Sequence, residues 1–333
     1  MTHTIGVLGS GSWGTALAVH LAGIGHEVKL WARDPSLARE MAGARQNAAY
    51  LAGIPFPASL RPTHDIADAV DGARFLVMAV PSHGLRSVAR AAAPFAAGDA
   101  VVVSAAKGLE VGSLLRMSEV IRAEMPDGGD VVVLSGPSFA IELARQLPTA
   151  MVAAATSTTA VEQVQSSFRS PALRLYGSSD VVGVEIGGAL KNTIAIAAGV
   201  VEGLGLGHNA LAALITRGLA ELSRLAEPMG AQRDTLSGLA GLGDLVLTCT
   251  GGLSRNRQVG IELARGRSLP DILSHMKMVA EGVRTTEAAL ALGARYGVEL
   301  PITEQMAEVL AGHKDAPSAI RDLMNRRQKL EHA

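Results

Sequence analysis

The stretch Thr4-Ile5-Gly6-Val7-Leu8-Gly9-Ser10-Gly11-Ser12-Trp13-Gly14-Thr15 decides the fold. Ile5 to Leu8 is a short apolar run of strand type, Gly9 to Gly14 fits G-x-G-x-x-G, and a helical pattern runs from Thr15 to Ala22. Without a Cβ at Gly9 and Gly11 the backbone can turn sharply and approach a pyrophosphate, whose charge rests at the helix N-terminus. Gly14 lets the helix pack closely on the strand. A glycine-rich turn without ligand is the competing reading, and the strand, turn and helix in sequence favour a dinucleotide site.

Working outward, short β-branched runs alternate with helical patterns through the first half. They are Ile5 to Leu8, Val28 to Trp31, Phe75 to Val80, Ala100 to Ser104, Val131 to Leu134 and Ala150 to Ala154. That rhythm predicts an α/β, Rossmann-like, mostly parallel sheet with crossover helices. The lack of clean alternation fits strands covered on both faces. A further strand pair is expected near Leu173 to Tyr176 and Val181 to Glu185. From Gly187 onward Ala/Leu/Glu/Arg segments take over, so a dinucleotide-binding domain at 1–186 and an all-helical substrate and catalytic domain at 187–333 are expected. A chain of 333 residues is long enough for two cores.

The net charge of −1 and the absence of a basic block give no footprint for nucleic acid or an anionic membrane. The apolar stretch Ile186 to Leu206 carries Lys191, Asn192 and Glu202, and so reads as a buried helix rather than a membrane span. One cysteine, Cys249, excludes an intrachain disulfide. Together with a strand that begins almost at the first residue, this leads to an expectation of no secretory signal and a cytoplasmic protein. His20, His26, His208 and His275 show no ligand spacing, so no metal is expected.

The second strand ends in Trp31-Ala32-Arg33-Asp34. An acid there favours the ribose hydroxyls of NAD, and an arginine favours the 2′-phosphate of NADP. Arg33 could clamp and stack while Asp34 is a turn residue, so NADPH/NADP is expected, with NADH/NAD open.

Three polar clusters fall where strands end or helices begin. Lys107, in Ser104-Ala105-Ala106-Lys107-Gly108-Leu109-Glu110, lies just past a strand's carboxyl end, where open α/β sheets bind ligands; a solvated surface lysine is the alternative. Ser135-Gly136-Pro137-Ser138-Phe139-Ala140 could offer backbone N–H groups and a hydroxyl to an anion. Lys191-Asn192 stands in a Gly/Ala-rich apolar helix, where a lysine is costly unless paired or used. Lys191 therefore reads as a proton donor facing a cleft, or else as a snorkelling lysine. Asp244, in an apolar Gly-rich stretch, calls for a cation, with Lys191 the obvious candidate. Ser254, Arg255 and Asn256 resemble a phosphate clamp, or with Arg257 the charged face of a helix.

These segments, in this order, resemble bacterial-type NAD(P)-dependent glycerol-3-phosphate dehydrogenases. The likeness rests on Gly9 to Gly14 with Trp13, the Lys-Gly-Leu-Glu run from Lys107, Ser135 to Ala140 followed by Glu142, and Lys191-Asn192. It continues through Ala240 to Arg257 and Val279-Ala280-Glu281-Gly282 leading into Thr285-Thr286. The resemblance implies reduction of dihydroxyacetone phosphate to sn-glycerol 3-phosphate for phospholipid synthesis, with Lys191 as catalytic acid/base. It places Ser12, Trp13, Arg33, Lys107, Ala140, Arg255, Val279 and Glu281 around the cofactor. It places Lys107, Gly136, Ser138, Lys191, Asp244, Ser254, Arg255 and Asn256 around the substrate. In the mechanism it implies, Asp244 orients the Lys191 ammonium and Lys107 adds positive charge. Asp34 departs from the family, where a basic or neutral residue often follows the arginine. The loop around Tyr50 matches loosely and is left unassigned. A β-hydroxyacid dehydrogenase and a non-catalytic dinucleotide sensor are the rival readings. A homodimer is expected because helical second domains often pair.

Overall fold

The structure is a computed structural model, and it describes residues 1–276, 280–328 and 330. The chain divides into two compact units, 1–188 with 230–244, and 189–229 with 245–333.

The first unit is built on ten strands: β1 (Thr4–Leu8), β2 (Glu27–Trp31), β3 (Gln46–Asn47), β4 (Leu51–Pro55), β5 (Leu60–Thr63), β6 (Phe75–Met78), β7 (Val101–Ser104), β8 (Val131–Ser135), β9 (Thr149–Ala154) and β10 (Leu173–Ser178). Eight of them form one sheet in the order β10-β9-β8-β7-β6-β1-β2-β5, while β3 and β4 pair as a small antiparallel hairpin. Every pairing in the large sheet is parallel except β8 with β9. The direction of strand succession reverses between β1 and β6, and the crevice outside the carboxyl ends at such a point is where open α/β sheets bind ligands.

The unalternating apolar runs have a direct structural cause. Ile5, Val7, Phe75, Val77, Val103, Val132 and Leu134 join one core, while Leu8, Leu76, Met78, Val102 and Val131 join another. Successive residues thus enter opposite faces, both covered.

One expectation needs correction. Val181 to Glu185 is not a strand: it opens the helix Val181–Gly203, started by Asp180, whose carboxylate accepts from the Gly183 N–H at 2.8 Å. A five-residue valine-rich run has no period that separates strand from buried helix, and the cap decides. The small strands β3 to β5 lie outside the sequence reading. β5 is an edge strand that tolerates Pro62, and β3 has only two residues. Nor do the compact units follow a single cut at 186/187, because residues 230–244 return to the first. There the Gln232 N–H donates to Asp180 at 2.8 Å, and a Cβ on Gly187 would meet the Ala240 carbonyl at 2.7 Å.

In the second unit the described residues are helical or irregular, with helices at Gly207–Ala226, Arg255–Ala264, Glu281–Tyr296, Pro301–Leu310 and Ala316–Met324 among others. Val181–Gly203 is long and apolar enough to cross a membrane, but 94% of its apolar window is buried, as in the core helix of a globular protein. Its second half crosses Arg255–Ala264 where glycines meet backbone: a Cβ on Gly199 would overlap the Arg257 carbonyl, and one on Gly260 the Ile196 carbonyl. Small residues at the crossing bring the helices to near contact. Buried Glu221 accepts from the Ile302 and Thr303 N–H groups, capping Pro301–Leu310. Burial raises its carboxyl above the ordinary range, and these hydrogen bonds oppose the shift.

Candidate active site

At the end of β1 the chain turns at Gly9, whose φ of +121° suits glycine, and a Cβ there would stand 2.6 Å from the Ala79 carbonyl after β6. A Cβ on Gly14 would overlap the Gly9 carbonyl, whereas one on Gly11 would meet nothing within 4 Å. Two of the motif glycines are therefore demanded by packing, and the third faces open space at the N-cap of the helix Ser12–Gly23. Such a cradle fits a pyrophosphate. Ser12 Oγ donates to the Tyr50 carbonyl at 2.7 Å, tying the unassigned loop to the turn. Trp13 packs partly buried against the sheet core, and its Nε1 has no hydrogen-bond partner among the described residues.

Arg33 and Asp34 separate into different roles. Asp34 is the N-cap of the helix Pro35–Ala44, its carboxylate accepting from the Ser36 N–H at 2.8 Å, while Arg33 is exposed and makes no hydrogen bond or ion pair among the described residues. Asp34→Ala is expected to lower stability by about 1 kcal/mol, as loss of a cap does, with NADP binding unchanged. Urea unfolding beside cofactor titration checks this, and a selective loss of NAD affinity would make Asp34 a ribose ligand instead.

Lys107 lies beyond β7, and its ammonium donates to Asp244 Oδ2 at 2.7 Å and to the Gly136 carbonyl at 3.0 Å. The carboxylate's side chain is 2% exposed and the lysine's 16%, so the pair is largely withdrawn from water. Asp244 thus has the cation its burial requires in Lys107, which the family resemblance sets beside the substrate. The Lys107 stem runs 3.7 Å from where a Cβ on Gly188 would stand, and Ser135 Oγ comes nearer still, at 2.6 Å, so only glycine fits. Ser138 Oγ donates to the Gly136 carbonyl at 3.1 Å, and Ala140 is the first residue of the helix Ala140–Ala144.

In the second unit Lys191 is 6% exposed and donates to Thr248 Oγ1 at 2.7 Å, which removes the snorkelling alternative. The neighbouring Asn192 Oδ1 accepts from Asn256 Nδ2 at 2.9 Å, and Asn256 Oδ1 accepts from the Gly282 N–H at 2.9 Å. Asn256 thereby keeps one amide hydrogen for a ligand. Ser254 is the N-cap of the helix Arg255–Ala264, accepting from the Arg257 N–H at 3.3 Å. Arg255, the first residue of that helix, is exposed. Desolvation draws its guanidinium below the ordinary range and the Glu281 carboxylate opposes this, but an arginine remains charged. Val279 lies outside the described residues. The structure brings together Lys107, Gly136, Ser138 and Asp244 in one unit, and Lys191, Asn192, Thr248 and Asn256 in the other. Sequence reasoning gives no role to Thr248 or to Asn47, a buried neighbour of the turn; both are recognisable only from partners distant in sequence.

Residues 4–161 match the family model described as the N-terminus of NAD-dependent glycerol-3-phosphate dehydrogenase, and residues 180–321 match the model for its C-terminus. The chain belongs to this family. A glycerol-3-phosphate dehydrogenase [NAD(P)+] of Citrifermentans bemidjiense is 51% identical, with 99% of each chain covered. One from Chlorobium luteolum is 50% identical over 98% of this chain and 99% of its own. Among solved structures, glycerol-3-phosphate dehydrogenase from Coxiella burnetii superposes with a TM-score of 0.94 at 38% identity, covering 98% of this chain and 99% of that one. The relatives are named for NAD(P)+, and the glycine turn after β1 has room for the pyrophosphate of such a cofactor, while Asp34 caps the helix Pro35–Ala44.

Proposed function

We propose that the chain reduces dihydroxyacetone phosphate to sn-glycerol 3-phosphate with NAD(P)H, supplying phospholipid synthesis in the cytoplasm. The hydrogen bond from Asn256 to Asn192 carries the reading, because it fixes the start of the Arg255 helix to the residue beside the buried Lys191 ammonium. When bound, the reduced nicotinamide supplies the hydride taken up by the C2 carbonyl carbon. Lys191 holds the proton that the developing alkoxide needs, and Thr248 Oγ1 accepts one of its N–H bonds. Lys107 contributes positive charge from a position set by Asp244 and the Gly136 carbonyl. The fork of Arg255 and the remaining amide hydrogen of Asn256 hold the phosphate, with Ser254 shaping the helix start. Glu281 steadies the Arg255 charge.

The assay is NADPH and NADH oxidation with dihydroxyacetone phosphate against 3-oxoacids. Rapid oxidation with the phosphorylated ketone alone is expected; turnover of the carboxylates would favour a β-hydroxyacid dehydrogenase, and no turnover despite tight binding would favour a sensor. NADPH is the expected preference, since Asp34 is engaged as a cap and Arg33 is left to meet a 2′-phosphate. Equal efficiency with both cofactors would remove that assignment. Arg255→Lys keeps the charge and loses the fork, so KM for the ketone phosphate should rise about tenfold, roughly 1.4 kcal/mol, with little change in kcat. An effect confined to cofactor KM would contradict the clamp. Pairing of two copies through the helical unit is expected from its exposed Leu253, Leu273 and Tyr296, and a solution mass of one 34.3 kDa chain would exclude it.

A further inference from the structure

Asn47, fully buried at 0% exposure in β3, is used by no part of the functional reading. Its Nδ2 donates to the Ser10 carbonyl at 2.8 Å and to Thr15 Oγ1 at 2.8 Å, while its Oδ1 accepts from the Tyr50 N–H at 3.2 Å. Both amide hydrogens and the carboxamide oxygen are engaged, which fixes the orientation of the group. Thr15 Oγ1 is a second, longer donor to the Ser10 carbonyl, at 3.3 Å. The hairpin that carries Asn47 and the loop that carries Tyr50 are thus fastened to the turn on its buried side.

The Ser10–Gly11 peptide is trans, so its N–H points away from its carbonyl. With the carbonyl held toward Asn47, the Gly11 N–H is directed to the other side of the turn. That N–H has no acceptor among the described residues, and a Cβ on Gly11 would meet no atom within 4 Å. We propose that Asn47 is a positioning residue for the dinucleotide: by holding the Ser10 carbonyl it aims the Gly11 N–H at the pyrophosphate. The inference rests on Gly9 to Gly14 being the cofactor turn. A freed carbonyl could rotate with its peptide and present oxygen, instead of N–H, to an anion.

Calorimetric titration of the full chain with NADP+ tests this, using wild type, Asn47→Ala, Asn47→Asp and the core variant Leu17→Ala, whose residue is 0% exposed in the helix that follows the turn. Asn47→Ala and Asn47→Asp should each raise Kd at least about tenfold, while kcat and the ketone-phosphate KM at saturating cofactor change less than about twofold. Leu17→Ala should lower Tm with Kd within about twofold of wild type. Once protonated, the carboxyl group introduced by Asn47→Asp regains one O–H donor, so the affinity deficit of that variant should shrink as the pH falls from about 8 to about 6. If Asn47→Asp does not fold, Asn47→Ala carries the test. Wild-type-like Kd in Asn47→Ala, or an equal rise in Leu17→Ala, would overturn the positioning role. Failure of wild type to bind either NADP+ or NAD+ would instead overturn the reading of the turn, and this role with it.

Discussion

Lys191→Ala should lower kcat for dihydroxyacetone phosphate reduction at least about a hundredfold, the lower end of what a positioned general acid contributes. The ammonium is buried in an apolar helix and held on Thr248, an arrangement that costs desolvation. The Kd for NADPH should stay within about twofold, because the glycine cradle belongs to the other compact unit. Lys191→Met keeps most of the side-chain volume and should be equally inactive while more stable, which separates proton transfer from packing. In the oxidative direction the neutral amine must accept the proton, so oxidation of glycerol 3-phosphate by wild type should gain with rising pH and Lys191→Met should lose that dependence. Single-turnover kinetics with NADPH fluorescence measure both effects, and unchanged turnover in either variant would exclude Lys191 as the acid.

The parts of this fold visible in the sequence are those whose cause is local. The run Ile5 to Leu8 followed by Gly9 and Gly14 contains its own explanation, since the strand, the positive φ and the close helix approach are all imposed within a dozen residues. The central strands are legible for a related reason: burial on both faces leaves an apolar run that needs no partner to be recognised. Val181 to Glu185 misleads because what makes it helical is a cap from Asp180 and packing on residues 230–244, some fifty positions away. The same distance effect hides β5, an edge strand paired with β2.

The candidate site divides along the same line. Lys191 and Asp244 are visible as charges in apolar surroundings, Lys107 by its place past a strand end and Arg255 by its setting between Ser254 and Asn256, and a resemblance in several ordered segments implies their roles. Pairing is not visible that way. Asp244 receives Lys107 across 137 positions, and Thr248 and Asn47 are ordinary polar residues until their partners Lys191 and Ser10 are in place. Asp34 shows the converse: its type suggests a ribose ligand, and its position immediately before Pro35 makes it a helix cap.

Asp244→Ala should destabilise the protein by about 3 kcal/mol and abolish most turnover, and the two losses should be separable. Removing the carboxylate leaves the Lys107 ammonium largely out of water with the Gly136 carbonyl as its remaining acceptor among the described contacts. An uncompensated charge in that setting is costlier than no charge at all. Lys107→Met in the Asp244→Ala background removes the stranded charge and keeps the stem that lies along Gly188, so it should recover most of the lost stability. Activity should stay low in the double variant, because the positive charge proposed to act on the substrate has gone as well. Asp244→Asn, which preserves shape, should lose less stability than Asp244→Ala while remaining impaired in kcat. Urea unfolding and kcat measured on the same four proteins decide the matter: recovery of turnover together with stability in the double variant would make the pair purely structural, and no recovery of stability would show that Asp244 is held by more than its charge on Lys107.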